Sequence, residues 1–240
     1  MKTIKIAHLY YDILNLYGEN GNVRFLHKKL EDLGLNVEVH FLSLEDTLDF
    51  HAYDFYFIGS GTENNKKLVL NHLLEYKKDI KHAIEEGKFF LVTGNALDLF
   101  GKRIKSLDGT EQKALNVWNY TVTEEEFRIV GEQYLKCELL KENIIGFQNR
   151  CSVMDESGEN FLEVIHGTGS NPSTTKEGIH EYNFYGTYTF GPLLVRNPYF
   201  TDYLVKQMCE TLNLKYKEPN QEDASYKAYH EFIKNFYPSK

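Results

Sequence analysis

The sequence of 240 residues has little cysteine, no long apolar run and no excess of positive charge. Its three cysteines, Cys137, Cys151 and Cys209, are too few and too scattered to form a disulfide framework or a zinc site. No segment approaches the roughly 18 consecutive apolar residues that span a bilayer. The charged residues 1–11 alternate like a strand and do not resemble a signal peptide. We therefore expect a cytoplasmic protein that does not insert into a membrane.

The net charge of the chain bears on which kinds of partner it can bind. The 27 Lys and Arg residues are outnumbered by 35 Asp and Glu residues, which gives a formal net charge of -8. A protein that binds duplex nucleic acid needs a basic surface, so we expect no nucleic-acid partner. The Glu-Glu-Glu run at residues 124–126 is typical of a solvated turn, and we predict neither a metal nor another cofactor.

In the first half of the chain, short apolar segments alternate with amphipathic ones. The predicted strands are residues 4–11, 36–42, 53–58 and 89–93. The predicted helices are residues 23–33, residues 67–86 and a short helix that ends near residue 101. Because strand, crossover and strand follow one another repeatedly, the pattern indicates a parallel sheet with helices on both faces.

The second half changes to period-two alternation, which indicates further strands with little helix. This pattern covers most of residues 118–166, and residues 167–181 are rich in Gly, Ser, Thr and Asn and are predicted as a loop. A last strand at residues 184–190 and a helix at residues 198–212 follow.

The tail from residue 213 is charged, but its aromatic residues recur at helical spacing. These residues are Tyr226, Tyr229, Phe232 and Phe236. We predict one domain over residues 1–212 and a helical extension over residues 213–240. The aromatic face of this extension either packs on its own domain or docks a partner.

Four segments resemble the motifs of one enzyme family. They are an opening strand with an Asn/Gly loop at residues 8–22, Phe-Ile-Gly-Ser-Gly at 57–61, Gly-Phe-Gln-Asn at 146–149 and Gly-Thr-Tyr-Thr-Phe-Gly-Pro-Leu-Leu at 186–194. On these motifs the chain resembles the class I glutamine amidotransferase family of the cobyric acid synthase type, and specifically its GatD branch. The resemblance implies a flavodoxin-like, three-layer α/β domain. Its sheet would be mostly parallel with an antiparallel extension, and its site would lie at the carboxyl ends of the strands.

The resemblance also implies a partner. In the GatD branch, the glutaminase subunit forms a heterodimer with MurT, a ligase related to the Mur ligases, and the pair amidates a glutamate of the peptidoglycan precursor. The ligase activates the glutamate carboxylate with ATP, and the glutaminase delivers ammonia. We therefore expect a MurT-like partner, and glutamine or another small amide as a ligand.

The residues that perform the family's chemistry are replaced in this chain. When the strand–turn–helix motif is aligned on Gly101, the family's cysteine corresponds to Gly94, the following glycine to Asn95 and a glutamine to Asp98. The histidine that precedes Gly-Pro-Leu-Leu corresponds to Phe190. A thiolate must attack the carboxamide, and an imidazole must protonate the departing ammonia. We therefore predict that thiol-type glutaminase activity is absent.

The carboxylate of Asp98 stands in place of an amide and allows two interpretations. In one, it repels a substrate carboxylate and attracts a cation. In the other, it is a solvated acid in the first turn of a helix, where acids are favoured.

Five residues are candidates for ligand binding: Gly59, Gly61, Asn95, Arg128 and Asn149. Backbone N–H groups of a Gly-x-Gly loop can hold an anion, and the resemblance places this loop beside the oxyanion site. Arg128 matches an arginine implicated in glutamine binding in the GatD branch, and a guanidinium suits a carboxylate. The alternative is a solvated surface arginine.

Three functions remain open from the sequence. The favoured one is a catalytically degenerate GatD-like subunit that acts as the structural or regulatory partner of a MurT-like ligase. The second is an active amidotransferase or hydrolase with a rearranged site that uses Cys151 or Asp98. Cys151 is then a relocated nucleophile or, alternatively, an inert packing thiol. The third is a binding module that senses glutamine or another amino acid.

Overall fold

Two β-sheets with flanking helices form the part of the chain that the computed structural model describes, residues 2–155 and 160–238. The strands are β1 (Thr3–Leu9), β2 (Asn36–Leu42), β3 (Phe55–Ile58), β4 (Phe89–Thr93), β5 (Arg103–Lys105), β6 (Glu111–Lys113), β7 (Thr121–Lys136), β8 (Ile144–Met154), β9 (Leu162–His166), β10 (Lys176–Glu177), β11 (Ile179–Glu181) and β12 (Phe184–Thr187). The α-helices are α1 (Asn20–Asp32), α2 (Glu63–Leu73), α3 (Lys77–Glu85), α4 (Leu193–Arg196), α5 (Pro198–Thr211) and α6 (Ala224–Phe236). Short 3-10 helices span Leu16–Gly18, Leu74–Tyr76 and Gly94–Phe100.

The first sheet has six strands in the order β11-β12-β4-β3-β1-β2. Its neighbouring strands are parallel, except that β11 runs antiparallel to β12. The central strands β3 and β4 are buried along their whole length, as expected for parallel strands covered on both faces. The predicted α/β architecture with a mostly parallel sheet is confirmed.

The second sheet has the order β10-β9-β7-β5-β6, and β8 pairs with β7. Its pairs are antiparallel apart from β5 and β7, so the predicted antiparallel extension is confirmed. The solvated turn predicted at residues 124–126 is wrong, because these residues lie within β7. The register of β7 against β8 shifts between Glu124 and Ile129, which marks a β-bulge.

The predicted loop at residues 167–181 is wrong at its C-terminal end, where β10 and β11 form. Ile179 is buried and pairs with Gly186 of β12. Gly178 allows this close approach, since a Cβ atom there would lie 2.3 Å from the Gly186 carbonyl oxygen. The backbone at Gly178 also has a φ of +68°, which favours glycine.

Side chains of the first sheet alternate between two apolar clusters. On β3, Tyr56 and Ile58 join the cluster that contains residues of α2 and α3. Phe55 and Phe57 point to the opposite face and join the cluster that contains residues of α1 and α5. This period-two alternation places helices on both faces of the sheet and produces three layers.

The single helix predicted at residues 67–86 is two helices joined by a 3-10 turn. The first, α2, begins earlier than predicted because the Thr62 hydroxyl accepts a hydrogen bond from the Asn65 N–H and caps the helix. The earlier start places Glu63 and Lys66 in the first turns of the helix, close to the carboxyl end of β3.

Helix α6 packs on the rest of the chain through its tyrosines. The Tyr226 hydroxyl donates a hydrogen bond of 2.5 Å to Asp202, and the Tyr229 hydroxyl donates one of 2.6 Å to the Asn143 carbonyl. The aromatic face of α6 therefore contacts its own chain, while the domain boundary at residue 212 stays a prediction. Among the described residues, no helix is both long and apolar enough to cross a membrane.

Candidate functional site

The turn after β4, which we call the elbow (Gly94 and Asn95), lies at the carboxyl end of a central strand. Gly94 has a φ of +62° and opens the 3-10 helix Gly94–Phe100, in which every residue is buried. Glycine suits this left-handed conformation because it has no Cβ atom. The same sharp geometry presents the nucleophile in other α/β enzymes, but this turn carries no side chain at Gly94.

The space beside Gly94 is filled by two side chains. A Cβ atom built on Gly94 would lie 2.5 Å from both Cβ and Oγ of Ser60. It would lie 3.2 Å from Cδ1 of Phe190. The structure therefore brings Gly94 and Phe190 together, which are the two positions where the family resemblance places the nucleophile and its base.

Phe190 is held in place by aromatic contacts and by its backbone. Its ring stacks on Tyr17 with a centroid distance of 4.6 Å and an interplanar angle of 9°. Its backbone N–H and carbonyl pair with those of Phe147 at 2.9 and 3.1 Å. The side chain is 1% exposed. A phenyl ring has no proton to transfer, so this position supplies packing and no acid–base chemistry.

The loop after β3 is occupied by the side chain of Asn95. Its Oδ1 atom accepts hydrogen bonds of 3.1 Å from the Gly61 N–H and from the Ser60 hydroxyl. Its Nδ2 atom donates to the Gly61 carbonyl at 2.8 Å. The Gly61 N–H, which was predicted to hold a ligand anion, is therefore bound to a carboxamide of the protein itself. Gly59 packs against the backbone of Leu14.

Asp98 lies in the 3-10 helix that the elbow opens and is fully buried, so its interpretation as a solvated helix acid is wrong. It accepts hydrogen bonds from the Lys66 ammonium at 2.8 Å, the Tyr188 hydroxyl at 2.9 Å and the Ser152 hydroxyl at 3.1 Å. The cation that this carboxylate attracts is therefore a lysine of the same chain. The helical pattern around residue 66 gave no signal for this pairing, because lysines are rarely buried.

Lys66 is the centre of a buried charge cluster. Besides Asp98, its ammonium pairs with Glu63 at 2.8 Å and with Glu124 at 3.2 Å. Burial alone would lower the pKa of Lys66, but the carboxylates, first of all Asp98, outweigh it and raise the pKa above its ordinary value. Lys66 therefore stays charged.

Arg150 is a second buried cation close to Asp98. Its guanidinium lies 3.9 Å from the ring centroid of Tyr188 and donates a hydrogen bond of 2.6 Å to the Gly169 carbonyl. It also donates to the Gln148 side chain at 3.2 Å and to the Ser152 carbonyl. Burial lowers the pKa of Arg150, and these contacts hold the guanidinium through carbonyl and amide oxygens and an aromatic ring.

Two buried glutamates lie next to the strand ends that form the site. Glu19 accepts hydrogen bonds from the Thr93 hydroxyl and, at 3.4 Å, from the Gly191 N–H. Burial raises the pKa of Glu19 to about 7, although these hydrogen bonds oppose the rise. Glu177 accepts from Thr187 and from the Tyr188 N–H, both at 2.7 Å, and burial raises its pKa to about 7 as well.

An open cleft lies beside the loop after β3, the loop that also contacts the elbow. Its volume is about 260 Å³, and its lining includes residues of the β3–α2 loop together with Leu16, Tyr17, Glu63, Arg128 and Asn149. The Arg128 Nε donates to Asn149 at 2.9 Å, and the Asn149 amide donates to the Tyr17 hydroxyl at 2.8 Å. The structure thus brings Arg128 and Asn149 together at the cleft, while their binding of a ligand stays a prediction.

Cys151 is half-buried, and its thiol hydrogen-bonds to Glu63 at the edge of the charge cluster. Burial, followed by the negative charge of Glu63, raises the pKa of Cys151 to about 11. A nucleophilic cysteine needs a lowered pKa, because the thiolate is the reactive form. The surroundings of Cys151 therefore oppose its activation.

The fold is that of a glutamine amidotransferase domain, and the sequence agrees. Residues 5–198 match the family model of the CobB/CobQ-like glutamine amidotransferase domain. The chain belongs to this family, so the assignment made from its motifs is confirmed.

Two relatives come from the GatD branch. The chain is 30% identical over 223 residues to the GatD subunit of lipid II isoglutaminyl synthase (glutamine-hydrolyzing) from Staphylococcus aureus strain N315, covering 93% of this chain and 91% of the relative. It is also 30% identical over 197 residues to the GatD subunit of the same enzyme from Streptococcus pneumoniae strain ATCC BAA-255 / R6, covering 81% of this chain and 76% of the relative.

Solved structures support the fold. A crystal structure of a glutamine amidotransferase aligns with a TM-score of 0.55 at 16% identity, covering 87% of this chain and 99% of that one. The glutaminase domain of Trypanosoma brucei CTPS, solved with bound acivicin, aligns with a TM-score of 0.52 at 9% identity, covering 92% and 98%. At these identities the likeness concerns the fold alone.

Proposed function

We propose that this protein is a catalytically degenerate GatD-like subunit. In this proposal it is the structural or regulatory partner of a MurT-like Mur ligase that amidates a peptidoglycan precursor in the cytoplasm. The observation that carries the proposal is the elbow. Position 94 is a glycine, and the space where a nucleophile's side chain would start is filled by Ser60 and Phe190.

The chemistry supports the absence of turnover. A thiolate must form a bond to the glutamine carbonyl carbon, and an acid must protonate the departing ammonia. Gly94 and Phe190 supply neither function. In catalytic triads the loss of members costs about 10⁴–10⁶ in rate, so the remaining residues would leave only background hydrolysis. The raised pKa of Cys151, about 11, opposes its action as a replacement nucleophile.

The rest of the domain is intact enough to serve as a subunit. The mostly parallel sheet is present, the elbow follows β4 at its carboxyl end, and a cleft lies beside the loop after β3. Such a subunit completes the assembly with the ligase, which then uses free ammonia as its nitrogen source. Because domain fold alone does not define activity, partner binding is the property to test first for this role.

We expect the purified chain to co-elute with its MurT-like ligase in size-exclusion chromatography as a complex of one copy of each. A Mur ligase from the same cell that adds an amino acid to the precursor serves as the control and should elute separately. If the MurT-like ligase also elutes separately over micromolar concentrations, the proposed subunit role is wrong.

A second candidate function is a sensor of glutamine or another amino acid, and the cleft favours it. The Arg128 guanidinium and the Glu63 carboxylate line the same space, and they complement the carboxylate and the amine of an amino acid. A ligand that binds only the folded state raises the melting temperature. A rise with glutamine that is lost in Arg128→Ala, without consumption of glutamine, would identify the sensor.

A further inference from the structure

Ser60 is the side chain closest to the missing nucleophile position. It lies between Gly59 and Gly61 in the loop after β3 and is 2% exposed. Its hydroxyl donates a hydrogen bond of 3.1 Å to Asn95, and its carbonyl accepts a hydrogen bond of 3.0 Å from the Leu16 N–H. Ser60 is therefore tied to the elbow on one side and to the segment of residues 10–19 on the other.

Ser60 lies so close to Gly94 that only glycine fits at position 94. A Cβ atom at Gly94 would lie 2.5 Å from the Cβ of Ser60, whereas its distance to the Phe190 ring would be 3.2 Å. Ser60 is thus a tighter obstacle than Phe190. Because the Ser60 Cβ is itself involved, rotating the hydroxyl away does not relieve the contact.

The loop that carries Ser60 is packed too tightly to move away from Gly94. A Cβ atom on Gly59 would lie 2.6 Å from the Leu14 carbonyl oxygen. On Gly61 it would lie 2.3 Å from the Leu14 side chain and 2.9 Å from the Ile13 carbonyl oxygen. Both neighbours of Ser60 are therefore packed directly against the segment of residues 10–19. Because the interior is close-packed, the loop cannot shift to relieve a clash between Ser60 and a side chain at position 94.

We infer that Ser60 is a steric lock on the elbow and a third determinant of inactivity, independent of Gly94 and Phe190. Any side chain at position 94 would clash with Ser60. The Ser60 hydroxyl also bonds to the Asn95 carboxamide and so holds it on the Gly61 N–H. Restoring cysteine and histidine alone therefore does not restore a reactive thiol. This inference rests on the proposed function, since it explains how the degenerate site is kept closed.

The first test uses stability, so that it does not depend on catalysis. Overpacking a filled space is destabilising, and we expect Gly94→Ala to lower the melting temperature by about 5 °C. Adding Ser60→Gly should recover the part of this loss that the contact causes, while the strain of a side chain at a φ of +62° remains. Adding Ser60→Ala is the matched control and should recover less than Ser60→Gly, because alanine removes the Oγ contact but keeps the clashing Cβ. Equal recovery by alanine and glycine, or no loss in Gly94→Ala, would overturn the inference.

The second test measures the reactivity of a thiol at position 94. In the background Gly94→Cys/Phe190→His, iodoacetamide alkylates the new thiolate, forming a carbon–sulfur bond as iodide leaves, and peptide mapping separates this site from the native cysteines. We expect Ser60→Gly to speed labelling by about 10- to 100-fold, the factor that relief of overpacking allows. Ser60→Ala should give no gain.

The pH profile of labelling separates a positioning role from a merely structural one. With Ser60→Gly, the thiol and the imidazole introduced at position 190 can meet, so labelling should continue at a pH well below the ordinary pKa of cysteine. A profile unchanged between Ser60→Gly and Ser60→Ala would contradict the inference. Ammonia release from glutamine by the unmodified chain tests the proposed function separately, so the two failures are distinguishable.

Discussion

Replacing Lys66 by methionine should lower the free energy of unfolding by about 3–5 kcal/mol, the cost of leaving a buried charge without its partner. Lys66 is 1% exposed, and its ammonium is the cation that neutralises the fully buried Asp98. Methionine fills a similar volume but removes the ammonium that pairs with both Asp98 and the nearly buried Glu124. Urea unfolding at pH 7, with a linear extrapolation to water, measures the difference.

Two controls define the cause of this loss. Lys28→Met removes an exposed lysine that pairs with Asp32 at 2.9 Å and should change stability little, because exposed ion pairs contribute little. The double variant Lys66→Met/Asp98→Asn should recover part of the loss, since it removes the uncompensated charge. If Lys66→Met behaves like Lys28→Met, the charge cluster does not stabilise the fold as we describe.

Stability should also depend on pH through Glu19 and Glu177. Burial raises the pKa of each from an ordinary value of 4.5 to about 7. Each neutral carboxyl therefore contributes stability that is fully present below pH 4.5 and is lost as the pH rises to about 7. This rise in pKa corresponds to a change of about 3 kcal/mol in the free energy of unfolding for each group.

His8 acts in the opposite direction over part of the same range. It is fully buried, and burial lowers its pKa from 6.5 to about 4, so its contribution increases as the pH rises from about 4 to 6.5. The wild-type curve alone therefore mixes the two effects. The difference between the wild type and a single variant isolates one group.

We expect the wild type to lose stability relative to Glu19→Gln, and likewise relative to Glu177→Gln, as the pH rises from 4.5 to 7. The amide has the shape of the neutral acid but does not ionise, so the change with pH is informative even if the variant has a constant offset. Urea unfolding at several pH values gives the slopes. Parallel curves for the wild type and both variants would show that neither glutamate is buried in the way described.

The fold was largely predictable because its signals are local. The apolar segments at β3 and β4 are too short for helices and are buried on both faces, so the parallel sheet followed from their pattern. The start of α2 was missed because the Thr62 cap lies in a loop without periodicity. The short strand β11 was missed because its few residues do not form a periodic segment.

The site was predictable only where the chain departs from a known motif. Gly94 and Phe190 stood out because the resemblance assigns those positions to reactive residues. The pairing of Lys66 with Asp98 joins positions 32 apart in sequence. Lys66 lies just before the predicted helix of residues 67–86 and gave no signal of its own, and Asp98 allowed two interpretations. Ser60 gave no signal either, because its role depends on a distance across the turn and not on its chemistry.

The most direct measurement is ammonia release from glutamine by the purified chain, alone and mixed with its MurT-like ligase. We expect no release above the enzyme-free background in either condition, while an intact GatD glutaminase releases ammonia in the same assay. Release by this chain that disappears in Cys151→Ala would contradict the central claim, because the site would then have been rebuilt around a different nucleophile.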